Sequence, residues 1–162
     1  MKSIAQTTKD LLTKHRFHLK KGLGQNLLTD EACLNRIVEA AGISKDDTVI
    51  EIGTGTGILT MELAKKAKKV ITFEIDKRIV EIAREYLKDC ANVEIINEDF
   101  LKADPASYTL YPCPLKFVAN VPYYITTPII EKMLELSFSS AILTVQREFA
   151  QRMVAKPGTE QY

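Results

Sequence analysis

The chain has 162 residues, of which 46% are apolar and 27% charged, and its net charge at pH 7 is +1. This composition is typical of one soluble globular domain, and the sequence has no long uncharged apolar run of the kind that spans a membrane. Its three cysteines are widely spaced and form no Cys-x-x-Cys pair, which argues against a disulfide framework or a zinc site. We expect a cytoplasmic protein with reduced thiols and no membrane contact, and nothing in the sequence implies an oligomer.

The first 21 residues are basic. They carry six Lys and Arg side chains against a single acid, Asp10. A basic arm can contact phosphates, although a solvated terminal segment explains the charges equally well. His15 and His18 have no Cys or acidic ligand nearby to complete a metal site, so no metal is expected. We predict that residues 1–29 form an arm and that residues 30–162 form the main domain.

Short β-branched runs then alternate with helical periodicities, which predicts an α/β fold with a mostly parallel sheet covered by helices. A helix is expected from Asp30 to Ala41. Apolar residues at helical spacing predict two more helices, around Leu59–Ala67 and Ile79–Leu87. Five strands are predicted, at Thr48–Ile52, Val70–Glu74, Val93–Ile96, Lys116–Ala119 and Ala141–Val145.

The last third of the chain is predicted to contain two helices. Thr127 before Pro128 is typical of a helix N-cap, and Leu134 is among the residues expected to face inward from this helix. A second helix is predicted at Arg147–Val154. The fifth strand would be an open apolar edge, and no closing element follows the Pro157–Gly158 turn. We therefore expect the chain to be a fragment of a longer domain.

Three glycines, Gly53, Gly55 and Gly57, lie directly between the first strand and its helix. Glycine at such a turn allows the backbone to bend sharply and to approach a ligand closely, although a tight turn alone can also require it. The spacing is Gly-x-Gly-x-Gly, and Ile58 occupies the position of the third glycine in the dinucleotide fingerprint. The sequence therefore disfavours a pyrophosphate cofactor.

Two acidic residues follow the next strands of the predicted sheet. Glu74 ends the second strand, from which a carboxylate can accept hydrogen bonds from both hydroxyls of a ribose. Asp99 follows the third strand and is suited to accept a hydrogen bond from an adenine amino group. Because open parallel sheets bind ligands at the carboxyl ends of their strands, these residues predict an adenosine-containing cofactor.

With Asn120-Val121-Pro122-Tyr123 added, the sequence resembles class I S-adenosylmethionine-dependent methyltransferases that modify exocyclic amino groups. Six blocks, from "KKGLGQNLLTD" to "VQREFAQRMVAKPG", are similar to the small-subunit rRNA adenine N6,N6-dimethyltransferases of the KsgA type. The resemblance implies a Rossmann-like fold with S-adenosyl-L-methionine as cofactor. Family members continue into further strands and a helical C-terminal domain, which are absent from this sequence. The remaining departures are Leu27, Thr54 and Val121, where the family usually has Phe, Pro and Leu.

The resemblance also implies roles for individual residues. The N-terminal segment would contact the methionine and ribose side of the cofactor, the glycine loop the amino acid moiety, Glu74 the ribose, and Asp99 with Phe100 the adenine. The full set of expected cofactor residues is Gln25, Asn26, Leu28, Glu51, Gly53, Thr54, Gly55, Gly57, Glu74, Ile75, Asp99, Phe100 and Asn120.

Asn120, Pro122 and Tyr123 are the expected catalytic residues. The N6 nitrogen of adenine is a poor nucleophile because its lone pair is delocalised into the ring. The side-chain oxygen of Asn120 and the backbone carbonyl of Pro122 can each accept one N–H and so orient that lone pair. Tyr123 would stack on the target base. For Tyr124, core packing is favoured over a place in the pocket.

The sequence thus predicts an enzyme that dimethylates N6 of two adjacent adenosines near the 3′ end of small-subunit rRNA, within a partly assembled ribosomal subunit. Two alternatives stay open. One is a large-subunit rRNA adenine N6-methyltransferase of the macrolide-resistance type, and the other is a non-catalytic RNA-binding assembly factor that retains the fold.

Overall fold

A computed structural model describes residues 2–18, 27–104, 107, 115–121 and 123–159. Its centre is a five-stranded, fully parallel sheet in the order β3-β2-β1-β4-β5. The strands are β1 Thr48–Ile52, β2 Lys69–Phe73, β3 Val93–Ile96, β4 Leu115–Asn120 and β5 Ser140–Thr144. All five predicted strands are confirmed, each to within one residue at either end.

Six α-helices surround this sheet in the described part of the chain. They are α1 Ile4–Lys14, α2 Glu31–Ala40, α3 Ile58–Lys66, α4 Lys77–Tyr86, α5 Thr126–Leu134 and α6 Arg147–Met153. A single 3₁₀ turn, Tyr123–Ile125, precedes α5. No helix among the described residues is long and apolar enough to cross a membrane.

The sheet carries helices on both faces, as the sequence predicts. Alternate residues of β1 point to opposite sides. Ile50 and Ile52 join a core cluster with Ile129 of α5, whereas Val49 joins a second cluster with Leu63 of α3. Because β1 is covered on both faces, it is buried throughout, as expected for a parallel sheet.

Two details of the helix predicted after Thr127, which corresponds to α5, are wrong. The helix begins at Thr126 rather than after a Thr127 cap, and the cap position is held by Ile125, which makes no side-chain capping bond. The Thr126 hydroxyl instead donates to the Tyr123 carbonyl, 3.2 Å away, and so links the helix to the preceding 3₁₀ turn. Leu134 is 69% exposed and therefore does not face inward.

Helix α1, which periodicity did not reveal, packs against α4. Phe17, just after α1, is buried in a small cluster with Ile79 and Ile82. The Arg78 guanidinium lies 5.0 Å from the centre of the Phe17 ring, and Lys14 forms an ion pair with Glu85. Part of the basic N-terminal segment is therefore docked on the domain.

Gly57 adopts φ +87°, and a Cβ there would lie 2.9 Å from a Leu87 side-chain atom. We expect Gly57→Ala to lower the free energy of unfolding by about 2–3 kcal/mol, because the backbone strain of alanine at positive φ adds to the steric clash with Leu87. Gly42→Ala is the matched control, since Gly42 also has positive φ but a Cβ there would have no atom within 4 Å. The left-handed backbone alone should lower its free energy of unfolding by about 1 kcal/mol. Urea unfolding measures both, and equal losses would remove the contact with Leu87 from the explanation.

Candidate functional site

A cavity of about 260 Å³ opens at the carboxyl ends of β1, β2 and β4. This is the point where the strand order reverses direction, since β2 and β3 lie on one side of β1 and β4 and β5 on the other. Parallel α/β sheets commonly bind ligands at such a switch point. Nine of the predicted cofactor residues lie in the wall, namely Leu28, Gly53, Thr54, Gly55, Glu74, Ile75, Asp99, Phe100 and Asn120.

The glycine loop forms one side of this cavity. The N–H groups of Gly53 and Thr54 donate to the Phe73 carbonyl, at 2.9 and 3.1 Å, and so hold the loop against the end of β2. Gly53 and Gly55 have φ of +88° and +53°. A Cβ on Gly55 would lie 3.1 Å from the Leu27 side chain, so glycine lets Leu27 close over the loop.

Gly57 lies outside the cavity wall. Its positive φ and its approach to Leu87 place it at the start of α3, where it packs against the end of α4. In the structure the third glycine of the pattern therefore serves helix packing, whereas Gly53 and Gly55 border the cavity.

Glu74 connects the loop to β2. One carboxylate oxygen accepts the Gly55 N–H at 3.1 Å and the other accepts the Asp76 N–H at 2.9 Å. Burial raises the pKa of Glu74, and these backbone hydrogen bonds partly oppose the rise. A carboxylate has further lone pairs, so Glu74 can also accept hydrogen bonds from a ligand in the cavity.

Asp99 and Phe100 occupy the next strand end. An Asp99 oxygen accepts the Leu101 N–H at 3.0 Å, which holds the turn after β3. Phe100 is buried, with its ring edge-on to Phe73 at a centroid distance of 5.4 Å. Ile75, by contrast, is 58% exposed at the cavity. At the end of β3 the cavity wall thus combines a hydrogen-bond acceptor, the Asp99 carboxylate, with the apolar side chains of Phe100 and Ile75.

Glu51 does not line the cavity. It is fully buried, and one carboxylate oxygen accepts the Thr60 hydroxyl at 2.5 Å, while the other has no hydrogen-bond partner among the described residues. Burial raises the pKa of Glu51 to about 8, despite the opposing Thr60 and Thr72 hydroxyls. Glu51 therefore lies behind the loop, where it anchors the start of α3 through Thr60.

Asn120 ends β4 and borders the cavity beside the loop. Parallel pairing with β5 places Asn120 opposite Thr144, whose hydroxyl donates to the Asn120 side-chain oxygen at 2.5 Å. Sequence reasoning did not assign Thr144 a role. Only the register of two strands 24 residues apart brings the hydroxyl to this amide.

The two adjacent tyrosines differ in their surroundings. Tyr124 is 62% exposed and lines the cavity, so the expectation that it packs in the core is wrong. Tyr123 is 45% exposed and lines a neighbouring groove instead. Three predicted site residues, Gln25, Asn26 and Pro122, lie outside the described residues.

The charge of the cavity limits what it can bind. Its described lining contains the acidic residues Glu74, Glu98 and Asp99 and no Lys or Arg. The wall therefore lacks the Lys and Arg side chains that commonly bind a pyrophosphate. Carboxylates at two strand ends next to apolar surface suit a ligand that carries hydroxyls, an adenine amino group and positive charge.

A family model described as ribosomal RNA adenine dimethylase matches residues 16–162. The ribosomal RNA small subunit methyltransferase A of Macrococcus caseolyticus is 50% identical over 161 residues, which are 96% of this chain and 54% of that protein. The corresponding protein of Shouchella clausii is 47% identical over 162 residues, with the same coverage. The chain spans about half the length of the curated relatives it matches.

Solved structures with related sequences have the same fold. The 23S rRNA methyltransferase ErmE is 40% identical, with a TM-score of 0.70 over 78% of this chain and 50% of that one. A dimethyladenosine transferase from Plasmodium falciparum is 37% identical, with a TM-score of 0.74 over 85% of this chain and 49% of that one. These matches agree with the predicted class I methyltransferase fold.

The raised pKa of Glu51 predicts a dependence of stability on pH. Between its ordinary pKa of 4.5 and about 8, the carboxyl stays protonated in the folded chain but ionises on unfolding. The free energy of unfolding should therefore fall as pH rises through this window, with Glu51 contributing up to about 1.4 kcal/mol per pH unit. Glu51→Gln should remove that contribution.

Urea unfolding of both proteins at several pH values between 5 and 8 measures this slope. Burial raises the pKa of Glu74 as well, so part of the slope will persist in the variant. Glu81→Gln, on an exposed position of α4, is the control and should keep the full slope. An unchanged slope in Glu51→Gln would mean that Glu51 is ionised when folded.

Proposed function

The chain belongs to the ribosomal RNA adenine dimethylase family, and from that premise we propose that it methylates N6 of two adjacent adenosines near the 3′ end of small-subunit rRNA. One observation carries the proposal: Asn120 borders the same cavity as Glu74 and Asp99. An amide that can hold an exocyclic amine thus lies beside carboxylates that can hold an adenosine. The curated relatives act on the small subunit according to their names.

S-adenosylmethionine is the proposed cofactor, and the described residues fit it. Glu74 would accept hydrogen bonds from the ribose hydroxyls, and Asp99 from the adenine amine. Gly53 and Gly55 leave room for the amino acid moiety beside the loop. When bound, the cofactor supplies a methyl group activated by a positive sulfonium, a charge compatible with the acidic wall. Gln25 and Asn26 remain predicted contacts from the resemblance.

The proposed catalytic work is the orientation of the target amine. The Asn120 side-chain oxygen accepts one N–H and so directs the nitrogen lone pair away from the ring. Thr144 holds that oxygen in place, because its hydroxyl donates to it at 2.5 Å. An amide oxygen has two lone pairs, so it can accept from Thr144 and from the substrate at once. The Pro122 carbonyl remains the predicted second acceptor.

Tyr123 is proposed to stack on the target base. Tyr123 is 45% exposed and lies one turn before α5, three residues after Asn120. A base held against this ring would be fixed in its plane beside the amide, and such stacking contributes roughly 1–3 kcal/mol. Tyr124, which lines the cofactor cavity, would instead border the cofactor.

Methyl transfer to RNA tests this function directly. The chain is titrated calorimetrically with S-adenosylmethionine and then assayed on small ribosomal subunits that lack the modification, with unmodified large-subunit rRNA in parallel. Transfer to small subunits would support the proposal. Transfer only to large-subunit rRNA would favour the activity that the name of the similar ErmE structure describes. Cofactor binding without transfer to either RNA would contradict the proposed activity for this chain.

Asn120→Ala should leave S-adenosylhomocysteine binding within about twofold and lower the methyl-transfer rate by roughly 10²–10³-fold, as for loss of one preorganised polar group. Single-turnover methylation with saturating cofactor measures the rate. An unaltered rate would exclude Asn120 as the acceptor of the target amine.

Thr144→Val keeps the shape and β-propensity of the side chain but removes the hydroxyl. We expect the single-turnover rate to fall roughly 3- to 10-fold, the equivalent of one neutral hydrogen bond, with cofactor affinity unchanged. Thr144→Ser restores the hydroxyl and should recover most of the rate. If Thr144→Val and Thr144→Ser lowered the rate equally, the Thr144 hydroxyl would not be the group that positions Asn120.

A further inference from the structure

A second concave surface lies next to the cofactor cavity, between α1 and the 3₁₀ turn that carries Tyr123. We call it the α1 groove. Leu27 lines both surfaces and therefore forms the wall between them. Tyr123 belongs to the groove and Tyr124 to the cavity, so consecutive residues of one turn border the two spaces.

The α1 groove is basic. Among its described lining residues are Lys9, Arg16 and His18, and none is acidic. All three side chains are exposed. Lys9 and Thr13 lie four residues apart and therefore on one face of α1. Arg16 follows just after the helix ends, so the groove has one positive charge on the helix and a second beyond it.

Other basic residues of the N-terminal segment have acidic partners instead. Lys2 is bound to Asp10 at 2.5 Å, and Lys14 and His15 are bound to Glu85. None of Lys2, Lys14 and His15 lines the groove. The side chains of Lys14 and His15, which link the end of α1 to α4, are thus distinct from those of Lys9 and Arg16 in the groove, although composition alone does not separate them.

The floor of the groove contains a further polar group. Thr8 is only 3% exposed, and its hydroxyl has no hydrogen-bond partner among the residues that the structure describes. A buried hydroxyl without a partner is costly in a folded protein. The groove therefore combines this hydroxyl and the side chains of Lys9 and Arg16 with apolar side chains such as Leu12 and Leu27.

We propose that the α1 groove binds the phosphodiester backbone of the single-stranded RNA next to the target base, through Lys9 and Arg16. This inference rests on the proposed function. A base stacked on Tyr123 keeps its neighbouring nucleotide attached, and the space beside Tyr123 on the side away from the cofactor is this groove. Phosphate contacts position an RNA strand without selecting its sequence. The groove would therefore set which nucleotide reaches Asn120.

The test measures binding of a short single-stranded oligoribonucleotide, with two adjacent adenosines at its centre, at several salt concentrations. The double variant Lys9→Gln/Arg16→Gln removes two groove charges. Lys2→Gln/Lys14→Gln is the matched control, since it removes two charges from the same segment but outside the groove. Circular dichroism and S-adenosylhomocysteine binding verify that both proteins remain folded.

The groove variant should bind the oligonucleotide about tenfold more weakly at low salt, and the slope of log Kd against log salt should fall by about 1.4, or 0.7 per lost phosphate contact. The control should keep a slope close to that of the unsubstituted chain. Equal slopes in the two variants, or no binding by the unsubstituted chain, would overturn the proposal. So would stronger groove-dependent binding of a polyglutamate of equal charge, which would indicate an acidic protein as the occupant.

These outcomes are independent of the proposed activity. If the unsubstituted chain binds the oligonucleotide through the groove but transfers no methyl group, the proposed function fails while the RNA-binding surface stands. If methyl transfer occurs and the two variants bind and react alike, the activity stands and the groove assignment fails.

Discussion

The position of β1 between β2 and β4 is the constraint on which the site depends. Parallel pairing on both sides of β1 brings three strand ends to one edge, where the glycine loop, Glu74 and Asn120 meet. Glu74 then ties the loop to β2 through the backbone N–H of Gly55. A shift of one residue in either pairing would turn these side chains to the opposite face. The placement of these residues around one cavity therefore depends on strand register.

The two buried glutamates near the glycine loop, Glu51 and Glu74, differ in their position relative to the cavity. Glu51 is buried behind the loop with a raised pKa, and it supports the cavity from behind by accepting the Thr60 hydroxyl at the start of α3. Glu74 faces the cavity and keeps backbone partners on both oxygens. The resemblance assigns both residues to the cofactor. In the structure only Glu74 lines the cavity, whereas Glu51 is fully buried behind it.

Leu27 and the pair Tyr123–Tyr124 divide the surface near Asn120 into two compartments. The cavity beside Asn120 has the acidic residues Glu74, Glu98 and Asp99 in its wall, whereas the α1 groove has Lys9 and Arg16. Opposite charges next to each other suit a reaction that brings a positive methyl donor and a polyanionic acceptor together. The proposed RNA path and the proposed cofactor site are thus distinguished by electrostatics as well as by shape.

The sequence by itself determined the α/β class, the five strands and the approximate helices, because β-branched runs and helical spacing are local signals. It also predicted that Glu74, Asp99 and Asn120 would lie at neighbouring strand ends, since parallel topology follows from strand and helix alternation. The tertiary structure alone decided that Thr144 meets Asn120, that Gly57 packs on Leu87, and that α1 docks on α4 with its cations divided between ion pairs and a groove. These contacts join residues distant in the chain, and their geometry is fixed by packing and register rather than by any local pattern.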